Sequence, residues 1–325
     1  MELVLSTFGT SLNIDNDGFV VTQGKERQRI PVEGVSSIQI SKGASITSDA
    51  ALLAIANEIP VIFVNRTGRP EGRIWSPRYG SISTIRKGQL AFAQSKKAVT
   101  WICSSIERKI SNQQALLMAM TTQPDDMPGI ERDVHRLDVY RNKVLALEGE
   151  RVADIASALR GYEGAAARIY FMALNRFLPE PLRFDERSQH PARDPVNAML
   201  NYGYGILYSK CEGALIMAGA DPYIGILHRD EHSRPVLAYD LVEVFRFWID
   251  YVVYHIACQN VLNADYYSMR SDGSCWLETL GRRVLIQSVN DYLDEVVEIN
   301  GSSRSRDTHI KLYAQSLAQT FRQLC

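Results

Sequence analysis

From residue 1 to about 80 the apolar positions come in short β-branched runs separated by turn residues. Leu3-Val4-Leu5, Phe19-Val20-Val21, Ile38-Gln39-Ile40 and Val61-Ile62-Phe63-Val64 read as strands. Asp15-Asn16-Asp17-Gly18 and Thr67-Gly68-Arg69-Pro70 read as turns. Ser48, followed by Asp49-Ala50-Ala51-Leu52-Leu53-Ala54-Ile55-Ala56, predicts one capped helix that feeds a buried strand. From about Arg86 the period becomes helical. Residues 86–120 contain neither Gly nor Pro after Gly88, and a second helical stretch runs from Met127-Pro128-Gly129 toward Gly149. Between Glu163 and Phe177, apolar residues Ala166, Ile169, Tyr170, Ala173, Leu174 and Phe177 recur at intervals of three and four, so one face is buried. Further helices are expected over 195–218 and 239–258, the latter apolar on nearly every side and therefore central. The expected fold class is α+β: a small N-terminal β-sandwich-like domain (1–80) and a larger all-α domain (81–325), with the polar stretch near Pro77 to Ser83 as linker.

Composition narrows the possibilities. The 325 residues are 46% apolar and 22% charged, which excludes a disordered chain and leaves material for a sizeable core. Thirty-six Lys and Arg against 37 Asp and Glu give a net charge of −1, excluding a polybasic nucleic-acid binder but not a local basic patch. Such a patch exists. Between Arg66 and Lys97 lie eight cationic residues against Glu71 alone, among them Arg66, Arg73 and Arg86. They are candidate contacts to a phosphate backbone, a solvated cationic face being the plainer alternative. The five cysteines are widely spaced without a CxxC, so reduced thiols are expected. The N-terminus has no cationic leader, and the run from Phe245 to Cys258 is interrupted by Arg246, Asp250 and His255, so neither a signal peptide nor a membrane span is expected. A cytoplasmic protein is the expectation.

The common nucleotide and hydrolase motifs, GxxxxGK, GxGxxG and GxSxG, are absent. His228-Arg229-Asp230-Glu231-His232 satisfies H-x-x-E-H, a zinc-peptidase pattern if it is helical. Pro222, Gly225 and Pro235 bracket it, so a surface loop explains it better. His228 itself is delivered from the apolar Gly225-Ile226-Leu227. In the helix predicted after it, Asp240, Glu243, Phe247 and Asp250 share one face, and carboxylates in so apolar a setting need either cations such as Arg246 or a metal ion. Glu163 opens the helix predicted from it, within Gly161-Tyr162-Glu163-Gly164-Ala165-Ala166-Ala167. It is either a partner of the helix dipole or a side chain reaching a shared site between closely approaching helices. One imidazole with two carboxylates suits Mg²⁺ or Mn²⁺ better than zinc.

Three blocks carry a family resemblance. Gly161 to Phe171 resembles an E-G-x-x-A-x-x-Y motif, and Asp194-Pro195-Val196-Asn197-Ala198-Met199-Leu200-Asn201-Tyr202-Gly203-Tyr204 resembles D-P-V-N-A-x-L-x-x-G-Y. Ala218-Gly219-Ala220-Asp221-Pro222, Gly225-Ile226-Leu227-His228, Arg234-Pro235 and Tyr239-Asp240-Leu241-Val242-Glu243-Val244-Phe245-Arg246 resemble an A-G-x-D-P…G-F-L-H…D-L-x-E-x-F-R run, with Ile226 in place of Phe. Together they resemble the CRISPR-associated adaptation (spacer-acquisition) integrase and endonuclease family, with residues beyond about 260 matching less distinctly. The resemblance implies a metal-dependent DNA endonuclease and integrase that inserts spacer DNA by 3′-hydroxyl attack on a phosphodiester. It implies Glu163, His228 and Glu243 as ligands of Mg²⁺ or Mn²⁺, with Asp240, Tyr239 and Asn197 around them. It further implies a homodimer formed through the β domain and a small companion protein bridging two dimers across DNA. The alternatives are a stand-alone structure-specific nuclease of the same fold, a zinc peptidase built on His228 and His232, or a non-catalytic DNA scaffold.

Overall fold

The computed structural model describes residues 2–325 apart from 17, 36, 66–69, 75–80, 122–126, 190, 229–233, 260–261 and 264. The chain begins with β1 (Glu2–Leu5), β2 (Ser11–Asp15), β3 (Gly18–Gln23), β4 (Glu26–Pro31), β5 (Ser37–Ser41) and β6 (Ser45–Ile46). Helix α1 (Ser48–Ala56), β7 (Val61–Val64) and β8 (Pro70–Ile74) follow. One sheet has the order β1-β5-β7-β8, with β1, β5 and β7 parallel and β8 antiparallel. The other has the order β4-β3-β2-β6 and is antiparallel except for the β2–β6 pair. Parallel neighbours such as β5 and β7 require a crossover, which α1 supplies. Its cap is Thr47 rather than Ser48: the Thr47 hydroxyl accepts from the Ala50 N–H at 3.3 Å. Leu3, Leu5, Leu12, Phe19, Ile38, Ile40, Ala50 and Val61 form one core shared by both sheets and the helix. Residues 67–69 of the predicted turn and 77–80 of the predicted linker lie outside the described residues, Pro70 opening β8 and Ser81 opening α2.

The helical region comprises α2 (Ser81–Ala93), α3 (Lys96–Met120), α4 (Met127–Leu145), α5 (Val152–Arg176), α6 (Pro195–Met217), α7 (Val236–Val242) and α8 (Arg246–Cys258). It continues with β9 (Tyr267–Met269), β10 (Cys275–Leu277), α9 (Thr279–Asp294), β11 (Val296–Ile299), β12 (Ser302–Ser305) and α10 (Arg306–Arg322). Helix α3 is the spine and packs against α4, α5 and α8. Its Ile102, Ile106, Ile110 and Leu117 are fully buried, each contributing ~1.5–3 kcal/mol of hydrophobic stabilisation. The described cysteines are free thiols. Among the described residues no helix is long and apolar enough to cross a membrane.

Three expectations need correction. The stretch 86–120 is two helices, because the chain turns at Ser95, whose N–H and hydroxyl both donate to the Phe92 carbonyl. Helix α2 thereby departs to lie on α10, so closely that a Cβ at Gly88 would fall 1.8 Å from the Phe321 carbonyl oxygen. The stretch 239–258 is likewise two helices, with a turn at 243–245. Asn112 of α3 donates to the Val244 carbonyl at 3.0 Å, and the Phe245 N–H bonds the Val242 carbonyl at 2.8 Å. Finally, the larger region is not all-α: β9–β10 and β11–β12 are antiparallel hairpins. Asn300 and Gly301 between β11 and β12 both take positive φ, +52° and +75°, the combination a tight hairpin turn needs.

Candidate active site

After α6, residues 221–228 are held from three sides. Buried Gln89 of α2 donates to the carbonyls of Asp221 and Ile224, at 2.8 and 3.1 Å, and accepts from the Asp221 N–H at 2.9 Å. Arg160 of α5 donates to the Leu227 carbonyl at 2.8 Å. At Gly225 any Cβ would stand 2.3 Å from the His228 carbonyl oxygen; glycine alone allows the chain to fold back on itself there. The third support is Asp240 of α7, whose side chain is 0% exposed. One of its oxygens accepts from the N–H groups of Ile226 and Leu227, at 2.7 and 3.1 Å. The other accepts from the N–H of His228 at 3.2 Å and from His228 Nδ1–H at 2.6 Å. A carboxylate only accepts, so Nδ1 carries a proton, and in the neutral ring Nε2 is the nitrogen with the lone pair. Burial works against the imidazolium, but the hydrogen bond and charge of Asp240, joined by the charges of Glu243 and Glu163, outweigh it and raise the His228 pKa.

Glu163 lies in the middle of α5, not in a first turn, so the helix-dipole explanation fails. Cβ atoms at Gly161 and Gly164 would meet nothing within 4 Å, so these glycines leave room beside Glu163 rather than admit another helix. Glu243 occupies the turn after α7. Lys109 of α3, 7% exposed, stands between the two acids: its ammonium donates to Glu163 Oε1 and lies 2.5 Å from Glu243 Oε2. Arg246 donates to Glu243 Oε1 at 3.1 Å and to the Tyr208 hydroxyl at 3.2 Å. Burial alone would raise the Glu243 pKa, but Arg246 and Lys109 bring it down to about 2. Burial also disfavours the Lys109 ammonium, yet Glu163 and Glu243 together raise its pKa.

The remaining sequence candidates divide. Tyr239 packs edge-on against His228 and Tyr208, with ring centroids 5.9 and 5.0 Å apart. Asp250 is elsewhere: its carboxylate is buried and takes hydrogen bonds from the hydroxyls of Tyr170 and Tyr204. Asn197 is fully buried at the start of α6. It donates to Asp194 and the Glu186 carbonyl and accepts from Arg187 at 2.7 Å, so it positions Arg187 rather than touching the acids. Arg73 donates to the Ile216 carbonyl at 2.9 Å and, like Arg86, is not among the residues that line the cleft; Arg66 and residues 229–232 of the H-x-x-E-H pattern are outside the described residues. Lys109 and Arg187 escaped the sequence reading. The signal for Lys109 was present: it falls on the apolar stripe of its helix, next to Ile106 and Ile110.

Glu163, His228, Tyr239, Glu243 and Lys109 all line one cleft of about 1050 Å³. Arg168, Met172 and Asn175 continue from it into a second depression of about 420 Å³, lined also by Arg132 and Arg183, and by Arg136 and Arg176, which pair with Asp133. The donor types suit a hard divalent cation: two carboxylates and an imidazole nitrogen. Glu243 Oε2 is moreover buried, with the Lys109 ammonium 2.5 Å away as its partner. As arranged, the acids close on Lys109 instead, and no three His, Cys, Asp or Glu among the described residues are gathered to hold an ion.

The cleft thus brings two carboxylates, an imidazole and neighbouring arginines together on the helical part of the chain. Residues 3–291 match the family described as CRISPR associated protein Cas1, and the chain belongs to that family. It is 32% identical over 335 aligned positions to a CRISPR-associated endonuclease Cas1 of Archaeoglobus fulgidus, covering 99% of this chain and 96% of that protein. Among solved structures, a partial Cas6-RT-Cas1–Cas2 complex aligns with a TM-score of 0.78 at 23% identity, over 99% of this chain and 96% of that one. A casposase bound to its integration product aligns with a TM-score of 0.73 at 21% identity, over 99% and 95%. These two structures share the fold.

Proposed function

We propose that the cleft is the active site of a metal-dependent DNA endonuclease and integrase, which joins the 3′-hydroxyl of a spacer-precursor DNA to a phosphodiester of a CRISPR repeat. The observation that carries this reading is the convergence of Glu163, His228 and Glu243, from three separate elements, on one cleft. These residues would hold Mg²⁺ or Mn²⁺, which when bound supplies positive charge at the phosphate and a more acidic nucleophile oxygen. The chain's own residues do the rest. Asp240 and the three N–H groups it accepts from keep His228 in the tautomer whose Nε2 is a ligand. Asn197 and Asn201, at 2.7 and 2.6 Å, hold Arg187 in the cleft wall, where its charge would favour an incoming phosphate.

In this reading residues 1–80 form a dimerisation domain and 81–325 the catalytic domain. Exposed apolar side chains on the former, Phe8 and Val4 at 85% and 52%, support an interface there. A small companion protein would bridge two such dimers across the DNA. Joining of a labelled 3′-hydroxyl duplex to a repeat-containing target tests the function. Cleavage without joining would favour a stand-alone nuclease, and binding without either would favour a scaffold.

Arg66, Arg73 and Arg86 are proposed as phosphate contacts that read no sequence. Neutralising all three should weaken binding to every DNA sequence alike. It should also flatten the slope of log affinity against log salt by ~2–3, at roughly 0.9 per phosphate contact. An unchanged slope would move the backbone track to the depression beyond Arg168.

A further inference from the structure

The cluster at the cleft floor is charge-balanced as it stands: Glu163 and Glu243 against Lys109 and Arg246. Arg246 is committed to Oε1 of Glu243 and to Tyr208, and its guanidinium also lies 4.1 Å from the centroid of the Tyr204 ring. Lys109 is different. Its ammonium touches both acids at the oxygens a metal would need, Glu163 Oε1 and Glu243 Oε2. A divalent cation cannot share those oxygens with an ammonium, because like charges at contact distance in a poorly solvated pocket repel strongly. Removing every cation is no better, since the buried Glu243 carboxylate would then face the partly exposed Glu163 carboxylate uncompensated.

Resting on the reading of the cleft as a metal-dependent site, we propose that Lys109 is a competing cation: it closes the metal site when metal is absent and is displaced into the cleft when metal enters. The side chain suits this exchange. Lysine carries its charge on a flexible four-carbon stem and acts as a point charge without a fixed fork. The cleft beside it offers about 1050 Å³. Once displaced, the ammonium needs a new anionic partner, and the backbone phosphate of a DNA strand in the cleft provides one. Metal and DNA therefore bind cooperatively, and Lys109 carries the coupling. The device keeps the acids from holding metal tightly before DNA arrives.

The test is calorimetric titration of Mn²⁺ into the full-length protein and into Lys109→Met. Each is titrated alone and with a duplex whose 3′ ends are dideoxy, so that no reaction occurs. Without DNA, Lys109→Met should bind Mn²⁺ about tenfold more tightly than the wild type, and DNA should tighten the wild type by ~10-fold while leaving the variant nearly unchanged. The metal-free variant should also melt lower than the wild type and recover on adding Mn²⁺. Should it not fold, Lys109→Gln carries the same comparison. Equal or weaker Mn²⁺ binding by a folded variant overturns the role of Lys109 while leaving the metal site intact. If neither protein binds Mn²⁺, the metal-site reading itself fails.

Discussion

Glu163→Gln is expected to lower DNA cleavage and strand transfer in Mn²⁺ by ~10²-fold or more, with the fold and DNA affinity nearly unchanged. The substitution preserves the shape of the side chain and removes one charge. Lys109 keeps Glu243 as a counterion, so no buried cation is left unpaired, and Glu163 is itself 26% exposed. What is lost is an anionic oxygen that would ligate the ion. Single-turnover kinetics beside a melting curve checks this, and activity within tenfold of wild type in a folded variant would remove Glu163 from the metal site.

Asp240 and Glu243 are expected to fail in different ways. Glu243→Ala should be inactive even at millimolar Mn²⁺ and should also melt lower, because Lys109 and Arg246 lose a shared partner inside the protein. Glu243→Asp keeps the charge and should retain partial activity. Asp240→Asn acts through His228. The amide has one accepting oxygen where four donors now converge on two. If its NH₂ faces Nδ1, the ring must carry its proton on Nε2 and loses the lone pair that would bind metal. Mn²⁺ affinity should fall by at least the ~10–100-fold typical of groups that orient a ligand. Titrating Mn²⁺ into each variant separates the roles: wild-type affinity in Asp240→Asn would mean that the His228 tautomer does not matter, and activity in Glu243→Ala would exclude Glu243 as a ligand.

Residue patterns marked several of the side chains that line the cleft but not the contacts between them. Glu163, His228 and Glu243 were marked by polar groups in apolar surroundings and by the motif blocks around them. The partners of Asp240 could not be read, because they are backbone N–H groups 12 to 14 residues upstream, brought back by a fold at Gly225. The turn at 243–245 was hidden by a continuous apolar run, whose periodicity looks the same whether or not α3 breaks it by bonding the Val244 carbonyl. The β11–β12 hairpin was missed for the opposite reason. Its strands are largely exposed, so hydrophobic alternation is weak, and only Asn300-Gly301 announced it. Lys109 was legible in principle, since a lysine at a buried helical position demands an anionic partner.

Glu163, His228 and Glu243 are proposed to hold one divalent ion together. An anomalous difference map from crystals grown with Mn²⁺ tests it most directly. The account predicts one peak in the cleft, ~2.0–2.3 Å from a carboxylate oxygen of Glu163, from Oε2 of Glu243 and from Nε2 of His228, with the Lys109 ammonium moved away from both acids. A map from Mn²⁺-saturated crystals with no peak there, or with Mn²⁺ bound elsewhere while Lys109 still bridges Glu163 and Glu243, would contradict it.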